Sequence, residues 1–182
     1  MAQYTDEIKK IRELASRFRG VMERAKNIGK LEPYVALCRF PKGSCGETVN
    51  LLGEYLTENG FENLWYVSGR HYGHVQKEGQ EFNEMQTHAW ISIGHPFSGD
   101  AIIVDITGDQ FRANPEFGNF NCPVYVGKMG DFHRLFEIGQ TEFYRFSGIE
   151  SYNDLTRRRL SEIYTMLKQE SEMEGITSFV LE

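Results

Sequence analysis

Residues 43–60 read GSCGETVNLLGEYLTENG, and this stretch decides the fold expected of the chain. Its apolar side chains recur at three- and four-residue steps on one helical face: Val49, Leu52, Tyr55 and Leu56. Such spacing predicts an amphipathic helix of roughly twelve residues, which ends at the C-cap signal Asn59-Gly60. Cys45 therefore lies at the start of a helix, where unpaired backbone N–H groups and the helix dipole favour a negatively charged thiolate.

Outward from this helix, the spacing of apolar residues predicts helices at both ends of the chain and strands between them. One amphipathic pattern covers 4–27, within an N-terminal helical region 1–30, and another covers 152–170, within a C-terminal region 150–172. The strand-like runs are 64–67, 87–94, 101–107, 123–126 and 142–146. Residues 70–85 are polar and contain glycine, which favours a long loop. This order of elements predicts an α+β fold with a mostly antiparallel sheet.

The size and charge of the chain limit the classes of function. It has 182 residues, 40% of them hydrophobic, which suits a single domain over 1–182 with a substantial core. It carries 26 acidic and 20 basic residues, for a net charge of −6. General binding of nucleic acids or anionic membranes needs clustered positive charge. We therefore expect neither as a partner, and the sequence leaves the oligomeric state open.

The cysteine count and the N-terminus bear on location. Three cysteines are too few, and odd in number, for a disulfide framework, and reduced thiols suit a cytoplasmic protein. Residues 1–14 are charged and lack the apolar run of a signal peptide, and no stretch approaches the ~18 apolar residues of a membrane span. We expect a cytoplasmic location, with export as an effector that has no cleaved signal left open.

A histidine and an aspartate on two predicted strands are the expected partners of the Cys45 thiol. Strand alternation places His88 on the same face as Trp90. Asp105 lies in the otherwise apolar run 103–106, where a buried carboxylate needs a partner. The Nδ1–H of His88 would supply that partner and would hold the ring in the orientation that a general base requires.

Four short segments in this order resemble the core of the transglutaminase-like group, which belongs to the papain-like superfamily of cysteine nucleophiles. They are Gly43-Ser44-Cys45, Tyr66-Val67-Ser68-Gly69, His88-Ala89-Trp90 and Asp105-Ile106-Thr107. The resemblance covers residues 40–111 and implies a papain/transglutaminase-like fold, in which the nucleophile starts a helix packed on a mostly antiparallel sheet. It also implies Cys45 as nucleophile, His88 as general base and acid, and Asp105 as the residue that orients the imidazole.

The chain departs from this group at two positions. Gly46 stands where many members have an aromatic residue, which changes the expected shape of the substrate site, and Ile106 stands where proline is common. The residues expected to contact substrate are Gly43, Ser44, Gly46, Trp90 and Gln110. Asp109 is the alternative orienting carboxylate if Asp105 points away. We expect no cofactor and no metal.

Several other residues have structural interpretations. Cys38 ends the apolar run 35–38, which predicts a core position, and Cys122 precedes a predicted strand. Trp90 is otherwise a core aromatic, as is usual on a strand. The predicted loop 70–85 suits a lid or rim on the substrate side.

Together these residues predict a cysteine-dependent acyl-transfer hydrolase that attacks an amide of a protein or peptide substrate through a thioester. A glutamine side chain as substrate would make it a deamidase, and a main-chain amide would make it a peptidase. Compact proteins of the papain-like kind include secreted bacterial effectors that deamidate host glutamine. Two alternatives stay open: a catalytically inactive scaffold that binds a protein partner, and a zinc-dependent hydrolase using His71, His74 and His88.

Overall fold

The structure, a computed structural model, describes the backbone of residues 2–77 and 80–179 and the side chains of residues 4–73 and 84–171. The helices of this part are α1 (Ala2–Asn27), α2 (Cys45–Glu58), α3 (Asp131–Arg134) and α4 (Asp154–Phe179). Its strands are β1 (Leu64–Lys77), β2 (Gln80–Ile93), β3 (Ile102–Asp105), β4 (Tyr125–Gly127) and β5 (Phe143–Arg145). Short 3-10 turns occupy Gly108–Phe111, Pro115–Phe117 and Ile149–Ser151. The predicted α+β class is confirmed.

The strands of the described residues form one sheet in the order β4-β3-β2-β1-β5, and every neighbouring pair is antiparallel. Strands β2 and β3 pair with Ile91 opposite Val104. Since side chains alternate along a strand, this register makes His88 and Asp105 project from the same face of the sheet. The mostly antiparallel sheet expected from the order of elements is therefore confirmed, and its central strands bring the histidine and the aspartate together.

Residues 70–77 and 80–85 do not form the predicted loop. They are parts of β1 and β2, which pair from Leu64↔Ile93 to Lys77↔Gln80. The polar composition hid these strands because their backbone hydrogen bonds come from the partner strand and need no apolar pattern. Gly69 shows one reason for glycine here, since a Cβ on it would lie 2.7 Å from the Cβ of Phe136.

Two apolar clusters lie on opposite faces of the sheet. Helices α1, α2 and α4 form the larger cluster with strand residues such as Ala89, Ile91 and Val104. The alternate strand positions, among them Trp90 and Ile103, face a second cluster that is rich in phenylalanine. This alternation is the one that the sequence predicts for β2. None of the helices in the described part of the chain is long and apolar enough to cross a membrane.

Two residues of the apolar patterns lie outside the core: Leu155, an apolar position of the predicted helix over 152–170, and Cys38, which ends the run 35–38. Leu155 is 82% exposed, because α4 begins only at Asp154 and its first turn lies at the edge of the core. Cys38 is only half-buried, because residues 34–38 form tight turns that direct its neighbour Leu37 into the core instead. Apolar runs therefore marked the right segments but not always the right residue.

Candidate functional site

The Cys45 thiol lies at the first residue of α2, as the sequence predicts. Ser44 is the N-cap residue, and its side chain makes no capping hydrogen bond. Its hydroxyl donates to the carbonyl of Pro41 instead, at 2.8 Å, so it is turned into the protein. Gly43 has φ +69°, a conformation that L side chains rarely adopt. The tight turn before α2 therefore leaves the helix N-terminus and the thiol without a covering side-chain cap.

The Cys45 thiol lies beside the imidazole of His88 and the backbone of Ala89, and both lower its pKa. Burial alone raises the pKa of the Cys45 thiol, but the hydrogen bond and the positive charge of His88 outweigh burial and lower it below its ordinary value. A thiol with a lowered pKa carries more thiolate at neutral pH, and thiolate is the nucleophilic form. The contact with His88 is therefore the main cause of the lowered pKa of this thiol.

The imidazole of His88 is held by Asp105, with its Nε2 donating to the carboxylate Oδ2 at 2.8 Å. Both side chains are buried, at 0% and 1% exposure. Burial lowers the pKa of His88, but the Asp105 carboxylate and the Cys45 thiolate outweigh it and raise that pKa to about 9. The sequence predicts Nδ1 for this contact, which is wrong. Because Nε2 faces the carboxylate, Nδ1 is the ring nitrogen left for the thiol.

Asp105 also accepts hydrogen bonds from residues that sequence reasoning did not connect with it. The Nε2 of His133 lies 3.1 Å from Oδ2, and the backbone N–H of Thr107 donates to Oδ1 at 2.9 Å. Burial alone raises the pKa of Asp105, but His88 and His133 together hold it well below its usual range. The carboxylate therefore stays ionised while fully enclosed, which is the state needed to stabilise a charged imidazole.

His133 is the one member of this cluster that the sequence did not single out. It lies in the short helix α3 and is completely buried, and its Nδ1 has no partner among the described residues. Its ring lies 5.2 Å from that of Trp90, centroid to centroid. A histidine inside the run Phe132–Phe136 is the available signal, because an imidazole among core aromatics needs a polar partner.

Aromatic rings enclose the His88 imidazole and keep water away from its bond to Asp105. They are Trp90, Phe111, Phe132 and Phe136, with ring centroids between 5.2 and 5.7 Å from the imidazole. Trp90 is fully buried, so it packs beneath the ring and does not line an open surface. A low local dielectric strengthens the interaction between the imidazole and the carboxylate.

Gln110 and Gly46, which the sequence predicts to contact substrate, lie at different places around the thiol. Gln110 bridges two parts of it, because its Oε1 accepts the N–H of Gly43 at 3.0 Å and its Nε2 lies 3.3 Å from Nδ1 of His88. Gly46 is half-buried in the first turn of α2, and a Cβ on it would lie 3.5 Å from the hydroxyl of Tyr66. The backbone before the thiol and the amide of Gln110 therefore form one connected surface.

Asp109 does not take the alternative orienting role. Its two oxygens accept bonds from Arg19 at 2.8 and 2.9 Å, and Arg19 also donates to the carbonyl of Ile106. Asp109 is thus occupied by a buried ion pair that ties α1 to the turn after β3. Asp105 is the carboxylate that reaches His88.

The residues of the zinc alternative are placed in different surroundings. His71 lies 3.0 Å from the carbonyl of Leu135, and His88 is committed to Asp105. The side chain of His74 lies outside the described residues. Within the described part of the chain there is no group of three or more His, Cys, Asp or Glu residues that could hold a metal ion.

Among the side chains that the structure describes, no imidazole contacts either of the other two cysteines. Cys38 donates to the carbonyl of Val35 and Cys122 to that of Val124, each at 3.3 Å. Burial raises the pKa of Cys122, the opposite direction to Cys45. These two thiols are therefore internal references for the reactivity of the third.

A comparison with protein-family models finds no match, and comparisons with curated proteins and with solved structures find none either. The chemistry of the site is therefore inferred from its own residues alone. They are a thiol with a lowered pKa at a helix N-terminus, an imidazole with a raised pKa and an enclosed carboxylate. A thiol and an imidazole in this arrangement can form a thiolate–imidazolium pair.

Proposed function

We propose that this chain is a cysteine-dependent acyl-transfer hydrolase that acts on an amide through a thioester, with a papain/transglutaminase-like arrangement of its site. The observation that carries the proposal is the Cys45 thiol at the start of α2 beside the imidazole of His88, whose Nε2 is held by Asp105 at 2.8 Å. Asp105 raises the pKa of His88, and His88 lowers the pKa of the Cys45 thiol. Both shifts favour the thiolate, which is the nucleophilic form. The order of these residues along the chain also agrees with the resemblance to the transglutaminase-like group.

In the first half of the reaction, the thiolate sulfur of Cys45 attacks the amide carbon and the C=O electrons move to the oxygen. The backbone N–H groups at the start of α2, which no side chain caps, are the donors available to that oxyanion. The C–N bond then breaks, and the proton on Nδ1 of His88 goes to the leaving nitrogen. This step releases ammonia from a glutamine side chain, or an amine from a main-chain amide, and leaves a thioester.

In the second half, water attacks the thioester carbon. Neutral His88 takes the proton from this water, and the carbon–sulfur bond breaks to release a carboxylate and restore the thiolate. Cys45 and His88 are thus the catalytic residues of the proposal. Asp105 and His133 act as positioning residues, because they hold and polarise the ring without touching the reacting atoms.

The test compares the parent protein with Cys45→Ala on a degenerate library of blocked peptides that contain glutamine. Ammonia release reports deamidation, and new amino termini report peptide hydrolysis. The matched control is Cys122→Ala, which removes a half-buried thiol from outside the site. We expect activity in the parent and the control and none in Cys45→Ala.

Two results would contradict the proposal. Full turnover by Cys45→Ala would show that the thiol is not the nucleophile. A parent protein that releases neither product over the whole library would favour the catalytically inactive scaffold that binds a protein partner.

A further inference from the structure

A positively charged cleft opens beside the candidate site. It has a volume of about 510 Å³ and lies between α1, the loop before α2 and the turn after β3. Its cationic lining residues are Arg19, Lys26, Arg39, Lys42 and Arg112. Its two anionic lining residues are Glu23 and Asp109. The chain as a whole has a net charge of −6, so the positive charge of this cleft is opposite in sign to that of the chain.

The two carboxylates of the cleft are paired with the buried Arg19, whereas the exposed cations of the cleft have no carboxylate partner. Arg19, only 6% exposed, binds both oxygens of Asp109, and its Nε donates to Glu23 at 2.7 Å. These contacts engage both carboxylates of the cleft. Among the side chains that the structure describes, four exposed cations of the cleft have no carboxylate within ion-pair distance. They are Lys26, whose Nζ donates to the carbonyl of Phe40 at 2.6 Å, and Arg39, Lys42 and Arg112. The rim of the cleft therefore presents uncompensated positive charge to solvent.

The cleft is linked to the candidate site through Gln110 and the loop before α2. Gln110 lines it and also contacts both Gly43 and His88. Lys42 directly precedes Gly43, and Cys45 follows two residues later. An extended peptide advances at most about 3.5 Å per residue, so residues within a few positions of the attacked amide fall beside these cations.

We propose that this cleft binds acidic side chains of the peptide segment that carries the attacked amide. The inference rests on the proposed function and names its substrate class. An amide that reaches the thiol belongs to a peptide or protein, and carboxylates are the peptide groups that pair with arginine and lysine. A nucleic acid would satisfy the charges but offers no amide side chain or peptide bond for the thiol to attack.

Binding is measured in the Cys45→Ala background, so that no substrate is consumed. The probe is a fluorescein-labelled peptide with Gly-Gln-Gly at its centre and two glutamates on each side. The matched peptide carries glutamine in place of every glutamate. Fluorescence anisotropy then gives the affinity for each peptide without any requirement for catalysis.

The test variants are Lys42→Glu and Arg112→Glu, which reverse charges on the cleft rim. The matched control is Arg158→Glu, the same change of charge at an exposed position of α4 that does not line the cleft. Exposed ion pairs contribute up to about 1 kcal/mol, so each reversal in the cleft should weaken binding of the acidic peptide about fivefold. Arg158→Glu should leave it nearly unchanged.

Salt dependence supplies a second readout. Raising the ionic strength from about 0.05 to 0.5 M should weaken binding of the acidic peptide and leave the glutamine peptide unaffected, because salt screens exposed charges. Equal affinity for the two peptides would overturn the inference. So would an effect of Arg158→Glu as large as that of Lys42→Glu.

A competition experiment distinguishes an acidic peptide from a nucleic acid as the ligand of the cleft. A single-stranded oligonucleotide of the same net charge is used as a competitor. Displacement of the acidic peptide only at a large excess agrees with the inference. Tight oligonucleotide binding with no binding of the acidic peptide would assign the cleft to nucleic acid. A failure of catalysis in the parent alone would overturn the proposed function and leave this binding result standing.

Discussion

Replacement of Asp105 by asparagine should destabilise the protein far more than an ordinary polar substitution. The carboxylate accepts bonds from His88, His133 and Thr107, all within the described core. An amide of the same shape has one accepting oxygen, and its NH2 group would face N–H donors. Asp105→Asn therefore removes the negative charge and leaves at least one buried donor unpaired.

Two independent arguments give the size of the effect. Burial lowers the pKa of His88, but the Asp105 carboxylate and the Cys45 thiolate outweigh it and raise that pKa from 6.5 to about 9. Asp105 makes the larger of the two contributions. That rise corresponds to about 3 kcal/mol at ~1.4 kcal/mol per tenfold change. Removal of one partner from a buried ion pair typically costs about 3–5 kcal/mol. We expect Asp105→Asn to lower the free energy of unfolding by about 3 kcal/mol at pH 7.

The pH dependence of this loss has a definite sign. The folded-state pKa of Asp105 is lowered, so its contribution is present above the unfolded pKa of ~4 and is lost as the pH falls below that value. The difference between the parent and Asp105→Asn should therefore narrow on acidification from pH 5 to pH 3. Urea denaturation at several pH values measures it.

The control for this experiment is Asp131→Asn, which changes a fully exposed carboxylate paired with Arg134 at the surface. It should alter the free energy of unfolding by less than about 0.5 kcal/mol. A loss below about 1 kcal/mol in Asp105→Asn, or a loss equal to that of the control, would refute the argument that this carboxylate holds the imidazole.

Two further predictions concern groups around the same carboxylate. His133→Phe keeps an aromatic ring next to Trp90 but removes the donor to Asp105, so we expect a loss of about 1–3 kcal/mol in urea denaturation. His133→Gln retains an N–H donor and should recover part of that loss, whereas equal stability of the phenylalanine variant and the parent would contradict the role of His133. Gly108→Ala should destabilise the protein by more than about 1 kcal/mol and slow any turnover, because its Cβ would lie 2.8 Å from Oδ2 of Asp105 and 2.7 Å from Phe120. The control is Gly99→Ala, whose Cβ would meet nothing within 4 Å; an equal effect at both glycines in thermal denaturation would show that crowding at Asp105 is not the cause.

The helix that begins at Cys45 was predictable because its signals are local. Apolar spacing over 49–56 and the Asn59-Gly60 ending lie within the helix itself, and the structure ends α2 at Glu58. Strand alternation similarly predicted the shared face of His88 and Trp90, since a period of two fixes which side chains lie together. Local patterns thus determined the elements that position the thiol and the imidazole.

Other features depended on contacts between distant segments. Residues 70–77 and 80–85 take their backbone hydrogen bonds from each other's strand, and a polar sequence gives no sign of that pairing. His133 reaches Asp105 from 28 positions away, through a short helix that packs on the phenylalanine-rich cluster. The choice of Nε2 over Nδ1 in His88 depends on how the ring is turned by the aromatic side chains around it. None of these contacts leaves a periodic trace in the sequence.

The central claim is that His88 lowers the pKa of the Cys45 thiol. The most direct test is the rate of alkylation of each cysteine by iodoacetamide as a function of pH, followed by peptide mass spectrometry in the parent and in His88→Ala. The internal references are Cys38 and Cys122, whose thiols donate to the backbone carbonyls of Val35 and Val124. All three thiols are measured in the same tube, so reagent and folding effects are shared.

We predict that Cys45 in the parent reacts well below the ordinary thiol pKa of ~8.5, that the two reference cysteines lag behind it, and that His88→Ala abolishes its advantage. A Cys45 thiol that titrates like Cys38, or one that keeps its low pKa in His88→Ala, would contradict the thiolate–imidazolium pair on which the proposed hydrolase depends.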